Sequence, residues 1–510
     1  MTKYDDEKEL IRGVQDKRVV HPPQSQVQKS CHDVLFAAAF LIAFGFTVAI
    51  AVSYGQDVLT YSVDNQDGSQ DGSQDGLADI GDLIRQKHAK YHYAMRICGA
   101  IAGGALLASL IWTLAMLFVG KMLIWFSVIA VCAISVATGF LSSNALYQSG
   151  DSLYWWPAAV ATLFALLVLA YVCCIRSRIA FASANLQIAC QAVLSYPVIL
   201  ITALVFAVLQ IAWGLVWILA TYAAVNHGEY IGEGEEYGAG KKFWILIGML
   251  LVFFWANFVL RNIVTVATAG TVSSWWHHAT RDRVPLTSTR ALCRALTLSF
   301  GSICFGSLVV SIIETIHFLL SSLQKLLAEQ GNAIAVCLVG CIDGCVSAIE
   351  RWVEYFNRFA YAYVGIYGYG FVTSGKRVFD LFASKGWTAI TNDSLIVNVL
   401  LFGKIAIGFL GAAAGLATVA YGNPQWTVNV SNPEVALGLS GFLVGYSIAN
   451  VIMTVIDGAV ATVFILFAED PHSLVFSHPE AHEHLHATWR EIYPNEFEHV
   501  HHGDQSYGTV

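Results

Sequence analysis

Residues 437–467, LGLSGFLVGYSIANVIMTVIDGAVATVFILF, contain one charged side chain, Asp457. At about 1.5 Å of rise per residue, a helix of this length is longer than the ~30 Å hydrocarbon core of a bilayer. Its apolar residues occupy every face, so it needs either lipid or other helices on all sides. Working outward, similar runs recur at about 34–54, 97–119, 122–142, 154–175, 198–224, 243–267, 298–323, 355–373 and 396–421, which with 437–467 makes ten. The fold class is therefore all-α: a polytopic transmembrane helical bundle of about ten membrane-spanning helices. An even number puts both termini on one side, and the excess of Lys and Arg in the segments on that side predicts cytosolic termini.

Composition agrees, with 56% hydrophobic and only 13% charged residues among 510. These values leave no stretch between the runs long enough to bury a soluble core. The net charge is −8, and the 28 Lys and Arg are scattered rather than gathered in a stripe, which excludes a nucleic-acid partner. Three regions follow: a cytosolic N-terminal segment over 1–33 without the features of a secretory signal, a transporter-like membrane domain over 34–467, and a His-rich cytosolic tail over 468–510. Within the membrane domain, the acidic outer loop 55–93 holds the repeat DGSQDGSQDG at 67–76, which reads as a linker. Residues 176–197 are basic at the start and moderately apolar, which suits a helix on the inner membrane surface. Residues 324–354 are amphipathic and fit either face or a re-entrant segment. Asn429-Val430-Ser431 is a glycosylation acceptor on the outer side, close to the membrane.

The cysteines sit mostly inside apolar runs, where a thiol acts as a small hydrophobe. Cys337, Cys341 and Cys345 share one helical face, a pattern for packing or S-palmitoylation rather than metal. Gly370 to Lys376 has P-loop spacing, but Arg377 stands where a Ser or Thr must reach magnesium, so no nucleotide is expected. Eight of the sixteen histidines follow residue 470. With no cysteine beside them they read as a solvated regulatory tail, and neither a metal nor a cofactor is expected. No catalytic constellation is visible, so an enzyme is not expected.

The chemistry-bearing residues are those that hydrocarbon penalises. Glu314, His317 and Asp457 fall inside predicted spans, where a charge faces either a partner or a water-filled path. Arg261 and Lys404 are near helix ends and can snorkel. Trp213, Trp217, Trp255, Tyr361, Tyr363, Tyr367 and Tyr369 also lie within spans. Aromatic faces hold quaternary ammonium groups by cation–π attraction, although Trp and Tyr are ordinary interfacial residues as well.

Several stretches together resemble the choline transporter-like family of solute carriers, including its fungal and plant-type branch. SCHDVLF (30–36) is similar to the opening of the family's first helix. PLTSTRALCRALTLSFGSICFGSLVVSIIETI (285–316) carries Gly301-Ser302 and Phe305-Gly306-Ser307 in register, with Ser299 where the family often has histidine. AIERWVEYFNRFAYAYVGIYGYGFVTSGKRVFDLF (348–382) aligns Asn357, Ala360-Tyr361 and Tyr367-Gly368, and VIDGAVATVFILFAEDP (455–471) aligns Asp457 and Glu469-Asp470. The resemblance implies a ten-helix carrier of choline, or of ethanolamine or a related cation, with proton exchange in place of sodium coupling. The long glycosylated first loop of the family's animal members is here short and acidic, so their glycosylation of that loop does not carry over.

The expected function is thus secondary transport of choline or a related small organic cation by alternating access, most simply at the plasma membrane, with membrane lipids and the solute as partners. The residues expected to bind solute are Trp213, Trp217, Trp255, Glu314, Tyr361, Tyr367 and Asp457. A scaffold or lipid-handling protein, docking partners on 176–197 and the tail, and a channel are the alternatives.

Overall fold

The computed structural model describes residues 30–67, 76–148, 155–174, 176–230, 239–278, 286–331, 333–385, 388–422, 433–469 and 471–492. The acidic repeat at 68–75 and the Asn429 acceptor lie outside them. Among the described residues the regular structure is helical: α1 (Val34–Asp67), α2 (Gly76–Gln148), α3 (Trp156–Cys174), α4 (Arg176–Ser195), α5 (Val198–Tyr230), α6 (Ala239–His277), α7 (Thr287–Leu296), α8 (Phe300–Glu329), α9 (Ala333–Tyr367), α10 (Phe371–Lys385), α11 (Thr388–Gly422), α12 (Pro433–Glu469), α13 (Pro471–Ser477) and α14 (Pro479–Ile492). Buried hydroxyls donate one turn back along their own helix, as Ser109 does to Ala105 O (2.7 Å) and Thr462 to Gly458 O (2.8 Å), so they need no water.

Seven stretches among the described residues are long and apolar enough to cross a membrane. One of them, Gly103–Gln148, has 46 residues. At about 1.5 Å per residue that is roughly two bilayer crossings, and α2 breaks within it at Val119 (φ −124°, ψ 25°). The second and third expected spans are therefore the two arms of α2. Leu41, Ile42 and Phe46 of α1, Phe118 and Phe126 of α2, Leu163 of α3 and Val208 of α5 stand exposed, and hydrocarbon is the solvent that tolerates such surfaces. The stretch quoted first lies within α12, which packs on α2, α4, α5, α6, α9 and α11. In α12, 78% of the most apolar window is buried, which makes this helix the axis of the bundle.

The structure revises three readings. Residues 333–354 do not form a segment of their own: they continue into 355–367 as one helix, α9. Ile334, Leu338, Ile342 and Ile349 stand exposed on it while Asp343 and Glu350 meet His317 of α8, and these charged positions lower its mean hydropathy and hide its length. Gly331 (φ 74°) turns α8 into α9, and Gly368 (φ 74°) ends α9 with its N–H donating to Val364 O at 3.0 Å, a conformation that costs glycine little. Next, α4 does not present an apolar face to a membrane surface. Ile179, Phe181, Ala182, Ala184 and Leu186 are fully buried among α2, α11, α12 and α14. Finally, the described part of the tail, 471–492, is docked rather than solvated. Ser477 Oγ donates to Trp276 O (2.6 Å), His478 stacks on Trp275 at 4.0 Å, and Leu474 and Leu485 are fully buried.

One end of the bundle gathers the residue ahead of α1 and the last residue of α12. Asp33, just before α1, accepts from Ser302 Oγ (2.7 Å) and from the Phe371 N–H (3.1 Å). Glu469, closing α12, accepts from Tyr363 and Tyr367 hydroxyls at 2.5 Å each. The starts of α1, α8 and α10 and the ends of α9 and α12 therefore meet there.

Candidate functional site

Arg351, Glu354, Arg358 and Tyr361 are spaced three or four apart, with Tyr355 next to Glu354, so α9 carries them on one face. Asn450, Thr454 and Asp457 repeat the spacing on α12, and Arg261 and Thr265 do so on α6. These faces, with Lys404 of α11 and Val310 of α8, line a cavity of about 340 Å³. Two ion pairs cross it. Arg358 Nη1 meets Asp457 Oδ1, with the two side chains only 12% and 26% exposed. Arg261 Nη2 meets Glu354 Oε1 at 3.1 Å, with both side chains about 40% exposed, so this pair is the wetter one. Aromatic rings support both cations: Arg358 lies 5.6 Å from the Tyr355 ring and 5.1 Å from that of Phe359, and Arg261 lies 4.8 Å from that of Phe258.

The wall behind the pairs is neutral and hydrogen-bonded. Asn262 Nδ2 donates to Ser307 Oγ (3.0 Å), and Ser307 Oγ is 3.3 Å from the buried Tyr361 hydroxyl. The family-like stretch around Gly306-Ser307 has a physical cause here. A side chain at Gly306 would collide with the Phe371 ring and the Tyr361 hydroxyl, and Ser307 supplies the polar partner that Tyr361 needs. The Asn357 Nδ2 beside the cavity is buried without a hydrogen-bond partner among the described residues.

Of the residues expected to bind solute, the structure brings Tyr361 and Asp457 into this cavity. The tryptophans belong to helix packing instead. Trp213 stacks on Phe44 at 4.5 Å, Trp217 donates to Met249 O (2.7 Å), and Trp255 donates to Cys304 O (2.9 Å). Tyr367 turns to Glu469 at the end of the bundle. Glu314 is grouped with His317 and Glu350 between α8 and α9, the three offering ligand atoms within 4.8 Å of one another.

The sequence reading missed Arg358, Glu354, Arg261 and Lys404 as lining residues. Arg261 and Lys404 read from the sequence as snorkelling residues, and a span starting at 355 leaves Arg358 in its first turn, whereas α9 starts at Ala333 and holds Arg358 well inside. The signal that finds them is the 351–354–358–361 spacing, visible once the helix starts at 333.

The model of the family described as "Plasma-membrane choline transporter" matches residues 159–472, more than half of the chain. A protein named "Protein PNS1" from Mycosarcoma maydis is 31% identical over 352 residues, 68% of this chain and 65% of that protein. Proteins of the same name from Yarrowia lipolytica (28% over 348 residues; 66% and 60%) and Candida albicans (31% over 331 residues; 62% and 63%) are similar. The chain thus spans somewhat less than two thirds of the length of these relatives. The matched region contains α4 to α12, and therefore the whole cavity. The chain is a multi-pass membrane protein that belongs to the plasma-membrane choline transporter family.

Proposed function

We propose that this protein is an alternating-access carrier that moves choline, or a related small organic cation such as ethanolamine, through the cavity between α6, α8, α9, α11 and α12. In this reading the bundle crosses the plasma membrane ten times with cytosolic termini, each arm of α2 counting once. The carrying observation is the Arg358–Asp457 pair, held by two central helices where hydrocarbon would otherwise forbid charge. A cation that enters competes with Arg358 for Asp457, while Tyr355 and Tyr361 offer aromatic faces in the same space. Breaking and remaking such a pair gives α9 and α12 two arrangements, as a carrier requires. An inside-negative potential adds about 2.3 kcal/mol per charge per 100 mV to cation entry, enough to concentrate a cation without ion coupling.

A second reading has its own support. The described lining includes four basic side chains, Arg261, Arg351, Arg358 and Lys404, against two acidic ones, Glu354 and Asp457. This surplus, with the unpartnered Asn357 donor, favours a solute with an anionic group beside its ammonium. Purified protein in sealed vesicles with an imposed potential separates the two: choline uptake that rises with inside-negative potential supports the first. Uptake of a net-neutral amine carrying a carboxylate or a phosphodiester in its place, indifferent to potential, supports the second. No uptake of either class excludes both.

A further inference from the structure

The second charged cluster lies one helical turn along α9 from the cavity, since Glu350 precedes Glu354 by four residues. Glu314 and His317 are three apart on α8, so they share a face, and Glu350 meets them from α9. A Glu-x-x-His pair on one helix with a carboxylate on a facing helix is how helix bundles hold divalent metal ions. All three residues are half-buried, and one ligand atom from each lies within 4.8 Å of the others.

The outer environment of His317 points the same way. Its Nδ1 is 3.0 Å from Glu350 Oε2, inside the group, while Nε2 faces Asp343 Oδ1 at 3.6 Å on the far side. Asp343 is itself held by the Ser321 hydroxyl at 3.3 Å. A ring nitrogen turned towards an outer carboxylate fixes the tautomer and presents the lone pair of the other nitrogen, the arrangement found behind most metal-binding histidines. Two carboxylates converging on one point also need a cation or a proton between them, and the guanidinium of Arg261 is engaged by Glu354.

We propose that Glu314, His317 and Glu350 bind one divalent transition-metal ion of the zinc class, with Asp343 as the positioning residue. One imidazole and two carboxylates, without thiolate, suit zinc, manganese or cobalt rather than copper(I), and the imidazole disfavours calcium. The ion ties α8 to α9 beside the cavity wall and so couples the metal supply to the helix that carries Arg358. None of this depends on the identity of the solute.

The test uses the full-length protein in detergent, stripped with chelator and titrated at neutral pH. Cobalt absorption reports ligand type, and competition with a zinc indicator reports affinity. Wild type is expected to bind one ion per chain more than His317→Asn, with a visible cobalt spectrum that His317→Asn lacks. Glu314→Gln should weaken that ion at least tenfold, and Asp343→Asn by about 10–100-fold. The double variant His482→Ala/His486→Ala in the tail should leave it in place. If His317→Asn elutes as aggregate, Glu350→Gln replaces it. Equal stoichiometry in wild type and all cluster variants overturns the proposal, as does loss of the ion only when the tail histidines are changed.

Discussion

At the scale of single residues, Arg358 and Asp457 matter most. Removing one partner of a largely buried pair strands the other charge, at a cost of about 3 kcal/mol. Asp457→Asn should therefore lower the unfolding temperature of the purified protein and abolish uptake, while Trp125→Phe should leave both near wild type. The double variant Arg358→Leu/Asp457→Leu should recover most of the stability and none of the transport. Equal loss of uptake in Asp457→Asn and Trp125→Phe would remove the pair from the mechanism. Tyr367 needs a different test, since its hydroxyl serves Glu469. Tyr367→Phe loses one hydrogen bond to a charged acceptor, about 1.5–3 kcal/mol, and should reduce stability with KM for the solute within about twofold. A large rise in KM at unchanged stability would instead place Tyr367 at the solute. Asp457 was legible in the sequence because it is the one charge in a long apolar run. Its partner was not, because Arg358 sits among other charged and aromatic residues that resemble a helix end.

At the scale of elements, the tightest joint is that between α11 and α12. A side chain on Gly411 would strike Gly441 O, one on Gly441 would strike Gly411 O, and one on Gly415 would strike Leu437 O. The two backbones thus touch along the glycine rows, as small-residue motifs permit in membranes. Gly441→Val should cost at least the 1–3 kcal/mol typical of overpacking, read as a lower unfolding temperature and aggregation on gel filtration. Gly103→Ala should cost nothing, because a Cβ there meets open space. Equal effects at both positions would contradict the packing. In the sequence Gly99/Gly103, Gly411/Gly415 and Gly441/Gly445 share one four-residue spacing that could not tell these glycines apart, since contact depends on which face meets a neighbour. Apolar length revealed most of the helices. It failed for α9, whose charged face lines the cavity, and for α4, whose many small residues suit burial beneath the tail.

At the scale of the whole molecule, the docked tail changes an expectation. Because Leu474, Ala481 and Leu485 are buried against α4 and its neighbours, Leu485→Asp should expose α4 and speed limited proteolysis near residues 175–197, whereas a solvated tail predicts an unchanged digest. A scaffold would lose its partners in that variant and have no uptake to lose, and a channel would show single-channel currents. The central claim is that the cavity between α6, α9 and α12 carries a choline-type solute. It is tested most directly by uptake of labelled choline into vesicles containing the purified full chain, at zero and at inside-negative potential, beside Asp457→Asn. Saturable uptake that grows with the potential and vanishes in Asp457→Asn is the predicted result; uptake that survives unchanged in Asp457→Asn, or that is absent from the wild type at every potential, contradicts it.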